Sequence, residues 1–218
     1  MKSLNNGNEV IRNLFLKDKM GKRVVAILLA TITMGFSLSL LVNINMGTDP
    51  CSSMNLGISR LLGISFGNWM VVFNFVLFMF VMRYDYTQIG VGSFANMILV
   101  GYAHDFFQWI WSKSLPDGTF QILAVRIALL FPALMIFVIA AAVYMAMDLG
   151  SGPYDAIPFI LSNRQKKLNF RTVRMSWDIG FVTTAFFLGS TIGIITVFIA
   201  FALGPVIVVV KKKISTMI

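Results

Sequence analysis

Six apolar runs dominate the sequence and restrict the chain to a membrane-spanning fold. They extend over Val24 to Val42, Trp69 to Met82, Ile89 to Ile110, Phe120 to Met147, Val173 to Leu188 and Ile192 to Val210. A helix that crosses the hydrocarbon core needs roughly 20 mostly apolar residues, so each run predicts one crossing. The second and fifth runs are short, and we expect their helices to include flanking residues such as Asn68, Tyr84 and Arg174. The sequence therefore predicts an all-α polytopic membrane protein.

The composition leaves no room for a soluble or metal-binding domain. Of the 218 residues, 57% are hydrophobic and 12% are charged, and the mean hydropathy is +0.80. Soluble globular domains carry about 25% charged residues. Cys51 is the single cysteine and His104 the single histidine, which excludes an intrachain disulfide, a CxxC redox pair and a multi-His or Cys/His metal site. We expect no metal and no cofactor.

Two further helical segments are too short to cross the bilayer. They run from Pro50 to Leu62 and from Pro153 to Ser162, and at 1.5 Å per residue neither spans a core of ~30 Å. Each follows a turn that ends in proline, Gly47-Thr48-Asp49-Pro50 and Gly150-Ser151-Gly152-Pro153. Proline at the first helical position, with Asp49 or Gly152 as the N-cap, is typical of a helix start. We predict two half-helices, which either re-enter the membrane or form part of longer, broken helices.

The distribution of basic residues predicts the topology. If both half-helices re-enter, one side of the membrane carries the tail 1–23, the turn at Arg83, the segment 164–174 and the tail 211–218. These segments hold fifteen Lys and Arg residues, against a single lysine in the opposite loop, 113–119. By the positive-inside rule both basic tails are cytoplasmic and the loop is external. An eight-span arrangement, in which the half-helices cross, would move only Arg83 to the other side.

Comparison of the chain with itself predicts an internal duplication. At an offset of 103 residues, Gly47 aligns with Gly150, Pro50 with Pro153, Ser93 with Thr196 and Gly101 with Gly204, and at 104 Asn74 aligns with Asp178. The two repeats are 24–112 and 120–210, each with three spans and one half-helix. Because three crossings is an odd number, the second copy is inverted. Inverted 3+3 repeats whose broken helices meet near the midplane are a recurring architecture of secondary transporters.

Four glycine-containing motifs lie at the turns and hairpins of the two repeats. They are Asn45-Met46-Gly47-Thr48-Asp49-Pro50, Gly150-Ser151-Gly152-Pro153-Tyr154-Asp155, Ile89-Gly90-Val91-Gly92-Ser93 with Gly101 and Asp105 beyond it, and Ile192-Gly193-Ile194-Ile195-Thr196 leading to Gly204-Pro205. Over about residues 24–212 the chain resembles the YczE/YyaS/YitT group of bacterial integral membrane proteins. The resemblance implies a multi-pass protein of the bacterial cell membrane and supplies no substrate.

Polar residues within the apolar segments are the candidate substrate or coupling residues. They are Asn45, Asp49, Asn74, Asp105, Gly152, Asp155 and Asp178. Ionisable groups are costly in hydrocarbon, so they usually face the interior of a helix bundle or a water-filled cavity. Asp49 either caps its half-helix, through the amide of Ser52 or Ser53, or acts as a proton- or cation-coupling carboxylate. Asp155 has the same two interpretations.

The remaining candidates also keep two interpretations each. Asp178 and Asn74 form either interhelical hydrogen bonds or part of a substrate or proton site. Asp105 and the adjacent His104 either hydrogen-bond at the membrane interface or relay protons. Since Gly152 leaves its helix N-terminus without a capping carboxylate, an anionic ligand is expected near the second turn. Asp49, Asp178 or both would then supply the titrating charge.

Together these patterns predict a small secondary transporter or permease for a polar or anionic small molecule. The alternative is a non-transporting accessory, sensing or assembly membrane protein. The chain has no Walker motif, so transport would be passive or driven by a gradient. We expect no enzymatic activity and no nucleic-acid partner. The lipid bilayer is the expected surrounding, and a homo-oligomer is compatible with the sequence.

Overall fold

A computed structural model describes residues 20–165 and 169–201, which form helices and connecting turns without any strand. The helices are α1 (Met20–Ile44), α2 (Pro50–Leu62), α3 (Phe66–Tyr84), α4 (Val91–Ser114), α5 (Leu123–Ala146), α6 (Pro153–Arg164) and α7 (Phe170–Phe187). An eighth helix, α8, begins at 194 and is described as far as 201. Short 3-10 turns, Tyr86–Gln88 and Thr119–Gln121, precede α4 and α5. The all-α prediction is confirmed for this part of the chain.

Three helices among the described residues are long and apolar enough to cross a membrane, namely α1, α3 and α5. Helix α4 has 24 residues, but its sequence includes His104, Asp105 and Gln108, which lower its hydropathy. Helix α7 has 18 residues and contains several charged side chains. Length and composition therefore support three spans, and the six-span arrangement stays a prediction.

The observed helix ends differ from the predicted spans in ways that local capping explains. The second span, predicted from Trp69, begins at Phe66 because the Ser65 hydroxyl accepts a hydrogen bond from the amide of Asn68. The fifth, predicted from Val173, begins three residues earlier, where Asn169 caps the helix in the same way. As predicted, both short runs borrow flanking polar residues. Helix α1 begins within the predicted tail, because its first turn tolerates polar residues.

Both proline-started helices begin where the sequence predicts. Helix α2 starts at Pro50 behind the N-cap Asp49, whose side chain accepts a hydrogen bond from the amide of Ser52. It ends at Leu62, and its C-cap Gly63 adopts a left-handed conformation with φ of 66°. Helix α6 starts at Pro153 with Gly152 as the N-cap. At 13 and 12 residues, the two helices are too short to cross a bilayer.

Each short helix packs against a helix of the other predicted repeat. Helix α2 packs against α7, and α6 packs against α3, while α1 packs against both α4 and α5. Each short helix thus lies on the first helix of the other half's hairpin. Buried side chains of α1 to α5 and α8 form the largest apolar cluster of the described residues, with Leu41, Phe66, Phe137 and Ile195 among its members.

The turns before the short helices also make matching contacts across the molecule. Gly47, with φ of 105°, lies against Gly193, and Gly150, with φ of 103°, lies against Gly90. A Cβ added at Gly193 would collide with the carbonyl oxygen of Met46, and one added at Gly90 with that of Leu149. The two contacts are related by the same offset of 103 residues that aligns the turns.

Several predicted segments fall partly or wholly outside the described residues. These are most of the tail 1–23, three residues of the basic segment 164–174, the end of the sixth predicted span and the whole tail 211–218. Gly204 and Pro205 lie there as well.

Candidate functional site

The two proline-started helices begin at the wall of one central cavity of about 530 Å³. All eight helices contribute to its lining. Its polar lining consists of Asp49, Cys51, Ser52, Asn74, Asn96, Tyr144, Tyr154, Asp155, Arg171, Arg174 and Asp178. Its apolar lining includes the rings of Phe137, Phe170 and Phe201 and several methionines. Volumes of 300–1,000 Å³ are typical of small-molecule sites, and this cavity lies in that range.

Asp49 has one carboxylate oxygen in use and one without a partner. Its Oδ2 accepts a hydrogen bond of 3.0 Å from the amide of Ser52, as the N-cap interpretation predicts. Its Oδ1 is buried and has no hydrogen-bond partner among the described residues. The neighbouring hydroxyls of Thr48 and Ser53 hydrogen-bond to each other, 2.8 Å apart. Asp49 therefore caps α2 and still carries a free acceptor.

Arg174 joins the other two carboxylates of the cavity. Its Nη1 contacts Asp155 on α6 at 2.5 Å, and its Nε contacts Asp178 at 3.1 Å, one helical turn further along α7. The hydroxyl of Tyr154 donates a hydrogen bond to Oδ1 of Asp178. The guanidinium also lies over the Tyr154 ring, 4.9 Å from its centre. This network ties α6 to α7.

Asn74 and Asp178, aligned by the predicted duplication, both line the cavity and are both buried. The amide of Asn74 donates to the carbonyl oxygen of Met70 at 3.0 Å, so no direct hydrogen bond links it to Asp178. The two residues share the cavity without forming the interhelical pair that the sequence allows.

Asn45 and Asp105 lie away from the cavity, and Gly152 is not one of its lining residues either. Asn45 is in a left-handed conformation with φ of 55°, and its side chain accepts a hydrogen bond from the hydroxyl of Thr191. Asp105 accepts the amide of Gly67 at 2.8 Å and contacts Nδ1 of His104 at 3.1 Å. Both side chains therefore join neighbouring segments, and the structure does not bring them to the cavity.

The second turn differs from the anion site that the sequence predicts. Gly152 caps α6 through its backbone alone, but Asp155 lies in the first turn of the same helix. A Cβ at Gly152 would lie 3.4 Å from the Asp155 carboxylate and 3.0 Å from the side-chain oxygen of Asn96. These oxygens occupy the region of the helix N-terminus, where they oppose an anionic ligand.

The sequence analysis did not include several polar residues of the cavity among its candidates, namely Asn96, Tyr144, Tyr154, Arg171 and Arg174. Arg174 was expected only as a flanking residue of its span, although its four-residue spacing from Asp178 is typical of an ion pair on one helix face. Nothing in the sequence marked Asn96 or Arg171 as a cavity residue, because the residues around a helix position do not determine which way its side chain faces in the bundle. Among the described residues no group of three or more His, Cys, Asp or Glu could hold a metal ion.

Comparison with known proteins supplies the family. Residues 21–212 match the profile of a family of unknown function, DUF6198. The chain belongs to this family. The uncharacterized membrane protein YczE of Bacillus subtilis is 22% identical over 81% of the chain and 79% of its own length. An uncharacterized protein of Haemophilus influenzae is 25% identical over 85% of the chain and 82% of its own length.

The DUF6198 match and the similarity to YczE confirm the resemblance seen in the sequence motifs. Together with the apolar helices, they identify the chain as a membrane protein. No solved structure matches it significantly.

Proposed function

We propose that the chain is a small secondary transporter or permease of the bacterial cell membrane that binds a polar small molecule in the central cavity. One observation carries the proposal. Residues in the first turns of both proline-started helices line a single cavity of about 530 Å³, together with the buried polar residues Asn74 and Asp178. In secondary transporters, the ends of broken helices supply the substrate site at the interface between two repeats.

The reciprocal contacts support an inverted 3+3 repeat. The turn at Gly47 lies against Gly193 of the second half, and the turn at Gly150 lies against Gly90 of the first half. Exchange of equivalent contacts is what a pseudo-two-fold axis between the halves would produce. Alternating access then follows from rocking one half against the other around the cavity.

The proposed transporter has a defined orientation in the membrane and catalyses no reaction. The bias of basic residues supports cytoplasmic tails at both ends and an external loop at 113–119. We infer no covalent reaction, since His104 packs on the ring of Phe66 and does not line the cavity with Cys51. The cavity needs neither a cofactor nor a nucleic acid, and the lipid bilayer surrounds the helices.

A non-transporting accessory or sensing role is a second candidate, and one observation favours it. The carboxylates of Asp155 and Asp178 are already held by Arg174 and Tyr154. Such internally paired charges are also what a rigid scaffold would contain.

The single cysteine allows a direct test, because Cys51 lines the cavity with 7% of its surface exposed. A small membrane-impermeant methanethiosulfonate is applied to right-side-out and to inside-out vesicles, and the remaining free thiol is quantified. A transporter that alternates access exposes Cys51 to both faces, so modification is expected in both preparations.

Two controls accompany the labelling. The Cys51→Ala variant gives the background, and Ser114→Cys in that variant is expected to react in right-side-out vesicles alone. Modification of Cys51 from one face only, together with no uptake of any member of a metabolite panel by proteoliposomes, would favour the accessory role.

A further inference from the structure

We infer that the cavity binds an organic cation with an apolar body, with the carboxylate of Asp49 as its charged partner. The inference rests on the proposed transport function and names its substrate class. It departs from the anionic ligand that the sequence patterns predict.

The charge balance of the cavity lining is the first step. Three carboxylates, those of Asp49, Asp155 and Asp178, face two guanidinium groups. Arg174 is shared between two of the carboxylates. Arg171 is exposed and makes no ion pair within the described part of the chain. The interior therefore holds more negative than positive charge, which attracts cations and repels anions.

The unpartnered oxygen of Asp49 is the second step. A buried carboxylate oxygen without a donor is costly, and the cost falls when a ligand places a positive charge beside the carboxylate. The nearby hydroxyls of Thr48 and Ser53 bond to each other, and the amide of Ser52 serves the other oxygen. Asp49 is thus the carboxylate of the cavity that lacks a cationic neighbour in the described residues.

The aromatic and apolar walls of the cavity favour an organic cation over an inorganic one. Aromatic rings of Phe137, Phe170 and Tyr154 and the side chains of Met34 and Met70 form much of the lining. Aromatic faces attract ammonium groups, and apolar walls bury hydrocarbon. A hydrated inorganic ion would gain little from such walls. The volume of about 530 Å³ suits an amine or quaternary ammonium compound with an alkyl or aromatic body.

The reactivity of the Cys51 thiol in the unmutated protein measures whether the cavity prefers cations, because Cys51 lines the same cavity two residues from Asp49. Its modification rate is measured with trimethylammonioethyl methanethiosulfonate, a cation, and with sulfonatoethyl methanethiosulfonate, an anion of similar size. Each rate is divided by the rate of the same reagent with a free small thiol. We expect the cationic reagent to be favoured by about 10-fold or more, since a cleft of one charge sign raises the local concentration of counter-ions.

Asp49→Asn tests the assigned partner. Asparagine caps helices as well as aspartate does, so α2 keeps its start. The cation preference is expected to fall by about 5-fold or more, because one charge close to the thiol is removed. Asp85→Asn is the matched control, since Asp85 is also an N-cap, of the 3-10 turn Tyr86–Gln88, and does not line the cavity. It should leave the ratio unchanged.

A binding measurement distinguishes failure of this inference from failure of the transport proposal. Phenethylamine, phenylethanol and phenylpropionate share a phenyl body and differ in charge, and each is tested for a rise in the melting temperature of the purified protein. We expect a rise with the amine alone, lost in Asp49→Asn and kept in Asp85→Asn.

An equal or larger rise with the acid or the alcohol overturns the cation assignment and leaves a small-molecule site in place. A normalised rate ratio near one at Cys51, with modification from both membrane faces, does the same. Absence of any thermal shift together with an unreactive Cys51 overturns both proposals.

Discussion

The backbone amide of Gly92 donates a hydrogen bond to the carbonyl oxygen of Leu149, with an N–O distance of 2.8 Å. The bond joins the start of α4 to the turn that precedes α6. The hydroxyl of Tyr144 donates to the carbonyl oxygens of Gly92 and Gly150 at 3.1 and 3.3 Å. Two backbone segments from different halves therefore meet in direct contact, and the glycines at this meeting point tolerate little added volume.

Gly90→Ala and Gly193→Ala are expected to destabilise the protein by about 1–3 kcal/mol each, because the new methyl group would overlap a carbonyl oxygen of the opposing turn. Gly180→Ala is the control, since a Cβ there meets nothing within 4 Å. That change should be neutral or stabilise α7 by about 0.5–1 kcal/mol. Thermal unfolding of the purified protein in detergent measures all three. Equal effects at Gly90 and Gly180 would contradict the close approach of the turns.

Arg174→Gln is expected to cost about 3–5 kcal/mol, because it leaves the carboxylates of Asp155 and Asp178 without their shared cation. Adding Asp178→Asn to this variant should recover part of the loss, since one uncompensated charge disappears. The exposed neighbour Arg171 provides the control, and Arg171→Gln should change the stability by less than about 0.5 kcal/mol. A double-mutant cycle on unfolding free energies gives the coupling, and a coupling near zero would show that the contacts carry no net energy.

Asp49→Ala and Asp49→Asn separate the capping role of this carboxylate from its charge. The alanine variant loses the cap of α2 and is expected to be destabilised by about 1 kcal/mol. The asparagine variant keeps the cap and removes an unpartnered buried charge, so its stability should equal or exceed that of the parent protein. Asp117→Ala, at an exposed loop position, should have no effect. If both Asp49 variants are equally destabilised, the charge itself is structural.

Cysteine labelling tests the topology. In a Cys51→Ala background, Ser114→Cys should react with an impermeant maleimide in intact cells, and Ser215→Cys should not, because the basic segments are expected to be cytoplasmic. Tyr84→Cys distinguishes six spans, in which it is protected, from eight, in which it reacts. The opposite reactivity of Ser114→Cys and Ser215→Cys would reverse the assigned orientation.

Asp178→Asn addresses the coupling role that the sequence suggests. If Asp178 carries the titrating charge, uptake by proteoliposomes should lose its pH dependence while the ligand-induced thermal shift persists. Unchanged uptake and an unchanged pH profile would leave Asp178 with the structural role that its contacts with Arg174 and Tyr154 already describe.

Features that depend on neighbouring residues could be predicted from the sequence. Asp49 caps α2 through Ser52 because a helix start involves residues three positions apart, and proline at the first position needs no tertiary support. The same reasoning located the start of α6 at Pro153. The offset of 103 residues also aligned Gly47 with Gly150, and the two glycines share a positive φ, of 105° and 103°.

Features that depend on distant residues could not be predicted. Asn45 and Asp105 are polar and lie in apolar surroundings, as Asp178 does, yet they bond to Thr191 and Gly67 away from the cavity. Nothing in the local pattern distinguishes these cases, because the direction of a side chain inside a helix bundle is set by the helices that pack around it.

The sequence alone determined that this is an all-helical membrane protein with two proline-started helices and with its basic residues concentrated between and beyond the apolar runs. These properties follow from apolar length, backbone geometry and charge, which each segment carries by itself. Only the tertiary structure decided that Asp155 and Asp178 share Arg174 while Asp49 keeps a free oxygen. The charge of a binding site depends on which partners the packing of several helices brings within hydrogen-bonding distance.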